Sequence, residues 1–102
     1  MARIVWTATA REDLRGIVQY IAVNSPVYAR SFALRLRRSV ARLAEFPESG
    51  RQVPEDQSGT YREVIVGNYR VMYRIVRESV AIVTVLHGAR DMRRLFESGL
   101  IQ

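Results

Sequence analysis

From Thr60 to His87 the chain passes through three runs rich in Val, Ile and Tyr, separated only by Gly67-Asn68 and Glu78-Ser79. Runs of this composition are strands, and gaps this short leave room only for tight hairpin turns. Thr60–Val66, Tyr69–Arg77 and Val80–His87 therefore form an antiparallel meander. Such a sheet has one face to bury, so the remainder of the chain must cover it.

Upstream the period changes from two to about 3.6. Arg3 to Trp6 reads as a short strand. Thr9 followed by Glu12 fits a capping box, and Leu14, Ile17, Val18 and Ile21 then form one apolar stripe. Asn24-Ser25-Pro26 closes this helix and opens the next, with Ser25 as cap and Pro26 at the first helical position. The second helix places Ala29, Phe32, Ala33, Leu36, Val40 and Leu43 on one face and stops before Pro47. Its other face carries Arg30, Arg35, Arg37, Arg38 and Arg42, which reads either as a solvated surface or as a binding ridge. So short a connection makes the two helices an antiparallel hairpin. Residues 47–59, rich in Pro, Glu, Ser and Gly, are a loop. Asp91 to Glu97 is a short final helix with Gly99 beyond its end. The fold class is thus α+β, an antiparallel sheet packed against an α-helical hairpin, in one domain spanning residues 1–102.

Two-residue turns set the register and so predict neighbours. Ile65 should oppose Arg70 and Glu63 should oppose Met72. Around Glu78-Ser79, Arg74 should oppose Val83 and Arg70 should oppose His87. One face then holds Val64, Val66, Val71, Tyr73, Ile75, Ile82 and Leu86 for the core. The other, exposed, holds Tyr61, Glu63, Ile65, Arg70, Met72, Arg74, Val83, Val85 and His87, with Glu63 diagonal to both Arg70 and Arg74. Such a face binds phosphate or does acid–base work on RNA, since His moves protons near neutral pH. The plainer reading is a solvated face with structural Glu–Arg pairs.

The charge is one-sided. All sixteen basic residues are Arg, against ten acidic ones, for a net charge of +6. The choice of Arg over Lys fits the codon bias of a GC-rich genome. The excess itself points to a polyanion or an acidic protein as partner. With one His and no Cys there is no metal-ligand set and no disulfide, and no Gly-rich phosphate loop or cofactor motif is present. No signal peptide and no apolar run of membrane length is seen, so the expected location is the cytoplasm.

Ile4-Val5-Trp6, Asp13-Leu14, Tyr20-Ile21-Ala22 and Ser25-Pro26, followed by Leu43-Ala44-Glu45-Phe46-Pro47 and Gly50-Arg51-Gln52-Val53-Pro54-Glu55, resemble the RelE/ParE toxins of bacterial type II toxin–antitoxin systems. Tyr61-Arg62-Glu63, Tyr69-Arg70-Val71-Met72-Tyr73-Arg74 and Val85-Leu86-His87-Gly88-Ala89-Arg90-Asp91 extend the resemblance over nearly the whole chain. The resemblance implies a β-α-α-β-β-β domain. It implies a hetero-oligomer with a cognate acidic antitoxin, ParD-like or similar, whose C-terminal segment wraps the toxin, and contact with promoter DNA only through that antitoxin. RelE-like members cut mRNA in the ribosome with basic sheet residues and a Tyr or His near the C-terminus; ParE-like members poison DNA gyrase. By position Arg70 is similar to the family's strand arginine and Arg90 to a later one. Phe96 falls in the segment where the Tyr is expected, and there is no lysine. Those departures favour the ParE-like branch, a gyrase inhibitor that acts by binding, with growth arrest and plasmid stabilisation as consequences. Its candidate antitoxin- or target-binding residues are Arg35, Arg38, Arg42, Tyr61, Glu63, Arg70, Arg74 and Arg90. On the ribonuclease alternative the catalytic set is Arg70, His87 and Arg90. A degenerate toxin that only binds is a third reading.

Overall fold

A computed structural model describes residues 1–88, 90–97 and 99; the Met92 and Phe96 side chains lie outside that description. The chain forms β1 (Arg3–Trp6), α1 (Ala8–Asn24), α2 (Pro26–Ala41), β2 (Arg51–Gln52), β3 (Tyr61–Val66), β4 (Tyr69–Val76), β5 (Ser79–His87) and α3 (Met92–Glu97). Two 3₁₀ turns, Arg42–Ala44 and Pro47–Ser49, link α2 to β2.

The helical hairpin is built as its punctuation requires. Ser25 caps α2 by accepting the Tyr28 N–H, and Pro26 occupies the first turn, where a missing N–H costs nothing. At the start of α1 the cap is Thr7, not Thr9: the Thr7 side chain accepts the Ala10 N–H at 3.1 Å. Tertiary contacts decide between the two threonines. The Thr7 N–H also donates to the Ile82 carbonyl at 3.1 Å, and its hydroxyl lies 2.8 Å from the same oxygen. Glu12 pairs outward with Arg15.

The strand order is β1-β5-β4-β3-β2. The hairpin carries the chain over one face, from the β1 edge to the β2 edge, and the meander returns it beside β1. As a result β1 lies parallel to β5, so the sheet is mixed and only its β2–β5 part is antiparallel. β2 falls within the expected loop; two residues are too few to show a period.

Across Gly67-Asn68 the register is the expected one, with Ile65 opposite Arg70 and Glu63 opposite Met72. The next turn is Arg77-Glu78, one residue earlier than expected, with Arg77 in the left-handed region at φ 57°. Arg74 accordingly faces Ala81, not Val83. A bulge follows: Tyr73 pairs with Ile82 but Met72 with Thr84, leaving Val83 as the extra residue. An inserted residue exchanges the faces of everything after it. Val85 therefore joins the helix-side core, Leu86 leaves it, and Arg70 faces Leu86 while His87 faces Tyr69.

Leu14, Phe32, Leu36 and Val40 bury the helix side of the sheet against Val66, Val71, Tyr73, Val80, Ile82 and Val85. Ile75, expected in this core, is exposed because the β4–β5 tip runs beyond the start of β3 opposite Arg74. The other face is not open throughout. Val53 from the loop and Leu95 from α3 close over Met72 and Leu86, with Tyr61 at the margin.

Candidate functional site

On this second face the sheet and loop assemble a chain of alternating charges. Arg51 sits directly opposite Glu63 on the edge strand, and its Nε donates to Glu63 Oε2 at 2.6 Å. Arg70, diagonal to Glu63, donates from Nε to the other oxygen, Oε1, also at 2.6 Å. The fork of the same guanidinium faces Glu55 in the loop, with Nη2 at 2.7 Å and Nη1 at 3.3 Å from its two oxygens. The Glu63 side chain is 0% exposed and that of Arg70 is 7% exposed, while Glu55 retains 31%. Buried charges persist only when paired and hydrogen-bonded, and among the described residues no buried side-chain nitrogen or oxygen lacks a hydrogen-bond partner.

The titration behaviour follows the geometry. The Arg70 hydrogen bond holds the Glu55 carboxyl below its usual 4.5 against the opposing effect of burial. Burial pulls the Arg70 pKa down, but its bonds to Glu55 and Glu63 outweigh that and raise it. Burial pushes the Tyr73 phenol up; its hydroxyl donates to the Pro47 carbonyl at 2.6 Å and accepts the Gly50 N–H at 3.0 Å. A Cβ at Gly50 would lie 2.5 Å from that hydroxyl and 2.7 Å from the Glu63 carbonyl, so only glycine lets β2 approach this closely.

These facts correct the expected surface. The Glu63–Arg70 salt bridge forms as the register implied, but both residues are largely buried rather than on an open face. Arg51 of β2 and Glu55 of the loop close over the pair. Arg74, the other expected neighbour of Glu63, is exposed, and among the described residues it makes no ion pair with Glu63. Tyr61 is half-buried beside the second core. Arg51 and Glu55, which complete the network, carried no periodic signal, and their partners could be read only from the folded edge.

The three residues of the ribonuclease alternative are only partly gathered. Arg70 and His87 both line a groove of about 410 Å³ at the Gly67-Asn68 end, together with Arg51. The His87 ring, turned by the bulge, meets Tyr69 edge-on at 5.4 Å, and its Nδ1 accepts the Arg90 backbone N–H at 3.2 Å. The Arg90 side chain instead lies 5.9 Å over the Tyr20 ring, on the α1 side.

Exposed arginines of α2 and of the 3₁₀ turn that follows it approach the β2–β3 side of the sheet. Arg42 lines a groove of about 390 Å³ with Arg51 and the exposed Ile65. Arg35 rests near Gly67, its guanidinium 6.0 Å from the Phe32 ring centroid. Arg38 is exposed beside them on the helix. The result is a basic strip from α2 onto the sheet edge.

Comparison with known proteins places these features in context. The sequence model of the ParE toxin of type II toxin–antitoxin systems, parDE, matches residues 4–92. Toxin RelE2 of Caulobacter vibrioides is 42% identical over 91 residues, covering 88% of this chain and 99% of that protein. A solved chain described as the chromosomal ParDE TA system from P. aeruginosa has a TM-score of 0.67 at 20% identity, over 85% of this chain and 96% of its own, a likeness of fold.

Proposed function

The chain belongs to the ParE toxin family of type II toxin–antitoxin systems, and on that premise we propose that it inhibits DNA gyrase in the cytoplasm by binding it, and is neutralised by an acidic antitoxin. The observation that carries this reading is the state of Arg70. A catalytic guanidinium must meet a phosphate as charge develops on it. Here both edges of the Arg70 fork are engaged, by Glu63 within the sheet and by Glu55 from the loop. Inhibition by docking needs no such group. It needs an accessible, complementary surface, and Arg38, Arg42 and Arg74 are exposed. Contact with promoter DNA comes through the antitoxin.

The test is supercoiling by purified gyrase. Added protein should block it, the antitoxin should restore it, and Arg42→Glu with Arg74→Glu should raise the concentration needed at least tenfold. Normal supercoiling at large molar excess would remove the reading.

Ribosome-dependent mRNA cleavage is the second reading. The groove shared by Arg51, Arg70 and His87 favours it, as does the name of the RelE2 relative. Cleavage of translated mRNA in a cell-free system, lost in His87→Ala, would establish it in place of the first.

A further inference from the structure

Arg35, Arg38 and Arg42 recur at i, i+3 and i+7 along α2 and the turn that follows it, so they share one stripe roughly 10 Å long. All three are exposed, and among the described residues none of them enters an ion pair. No acid lies nearby in sequence: from Leu14 to Ala44 the chain has neither Asp nor Glu. The stripe leads into the groove of about 390 Å³ beside β3, which Arg42 lines with Ser39, Arg51 and Ile65. Glu63 also lines it, but Arg51 and Arg70 take both of its oxygens. Arg51 stays 60% exposed despite that bond. Backbone contributes as well. The Tyr61 carbonyl accepts the Val53 N–H at 3.1 Å, so Tyr61 turns its backbone groups toward the β2 side. Alternation turns the Ile65 N–H the same way, beyond Glu63, where pairing with β2 ends. Arginine forks, a serine hydroxyl and an outward edge N–H thus converge on one groove.

We infer that this strip seats the phosphates of duplex DNA. Arginine, hydroxyl and backbone N–H are the groups that hold nucleic-acid phosphates, and they do so without reading base order. The contact is therefore distinct from promoter recognition and needs no antitoxin. The lining of the groove argues against other anionic partners. A protein interface is anchored by aromatic and apolar side chains packed at its centre, and here Ile65 is the one large apolar side chain exposed in the lining. Unpaired strands are held by stacking their bases on aromatic rings, and no aromatic residue lines the groove. A linear row of cations suits a surface whose charges recur about every 1.7 Å along its axis. A chain held on DNA in this way is concentrated where a topoisomerase works, but the contact itself does not depend on gyrase being the target.

Fluorescence anisotropy of a labelled DNA duplex with the full chain, purified free of antitoxin, tests the assignment. With Arg35, Arg38, Arg42 and Arg51 each neutralising one phosphate, log K should fall with log salt at a slope of about −3.6. Arg38→Glu with Arg42→Glu should weaken binding at least tenfold and flatten the slope by about 1.8. Arg15→Glu with Arg37→Glu changes the net charge equally on the outer side of the hairpin, and should stay within threefold of wild type. Circular dichroism checks that each variant folds. Should the strip reversal not fold, Arg38→Gln with Arg42→Gln takes its place and should lose at least threefold. No binding by the wild type at 50 mM salt, or an equal loss in the strip and outer variants, would overturn the strip. Tighter binding to single-stranded RNA of the same length would overturn it too. Supercoiling blocked without any DNA binding would overturn this inference and leave the gyrase reading standing; DNA binding without that block would do the reverse.

Discussion

Glu55 is where a single side chain does most to shape this molecule's surface. It lies in a polar loop, yet its carboxylate takes the fork of Arg70 and so fastens that loop over the sheet. The charges facing it are Arg70, which stays protonated, then Glu63 and Arg51 behind. Because its folded pKa is depressed, its contribution is fully present above the usual 4.5 and is lost as pH falls through the folded value. Wild type should therefore lose stability relative to Glu55→Gln between about pH 5 and pH 3. With the side chain a third exposed, the difference should be no more than about 1 kcal/mol. Urea unfolding of the two proteins at both pH values measures it; Asp56, also depressed, titrates in both proteins and cancels. Parallel pH curves would show that Glu55 does not hold the loop. The Glu63–Arg70 half of this network was legible from strand alternation, whereas the Glu55 half was not, because a loop has no period from which to infer a partner.

At the scale of elements, the instructive one is β5. β1 covers only Ser79 to Ile82, so the later residues of β5 face outward on that side. An exposed strand edge invites pairing with other chains. This edge is closed by side chains from α1 and its cap. Thr7 serves the Ile82 carbonyl, and Asp13 accepts both the Val85 N–H at 3.1 Å and the Thr84 hydroxyl. Arg94 of α3 adds an ion pair to Asp13 at 3.4 Å. Asp13→Ala would strand a buried N–H and a buried hydroxyl, a loss of about 1–3 kcal/mol. The drop should appear as a lower urea midpoint with unchanged slope, and faster hydrogen exchange at Val85 should accompany it. The bulge at Val83 belongs to the same element and explains why the expected faces are exchanged only after it. Residues up to Ile82 occupy their expected faces, and Val85, Leu86 and His87 occupy the opposite ones.

For the whole molecule the governing quantity is its charge. Sixteen arginines against ten acids leave a long-range positive field, much of it outside the buried network. Such a field acts mainly on encounter rates and is screened over about 10 Å at 0.1 M salt. Association with an acidic antitoxin should slow at least tenfold between 50 mM and 500 mM salt, with dissociation changing far less, as stopped-flow binding would show. A salt-independent association rate would mean that the arginines position the partner without steering it.

The amino-acid sequence alone determined the order and kind of the main elements, the helical hairpin with its Ser25-Pro26 corner, the register around Gly67-Asn68 and the sign of the surface. These are local properties, written in periodicity, turn chemistry and composition. Only the tertiary structure decided that β1 would lie parallel to β5, that a two-residue strand would bring Arg51 to Glu63, and that the loop would bury Arg70. Each of these depends on chain segments distant in sequence meeting at a sheet edge or face. Alternation tells which residues share a side, but not which sides another segment will cover.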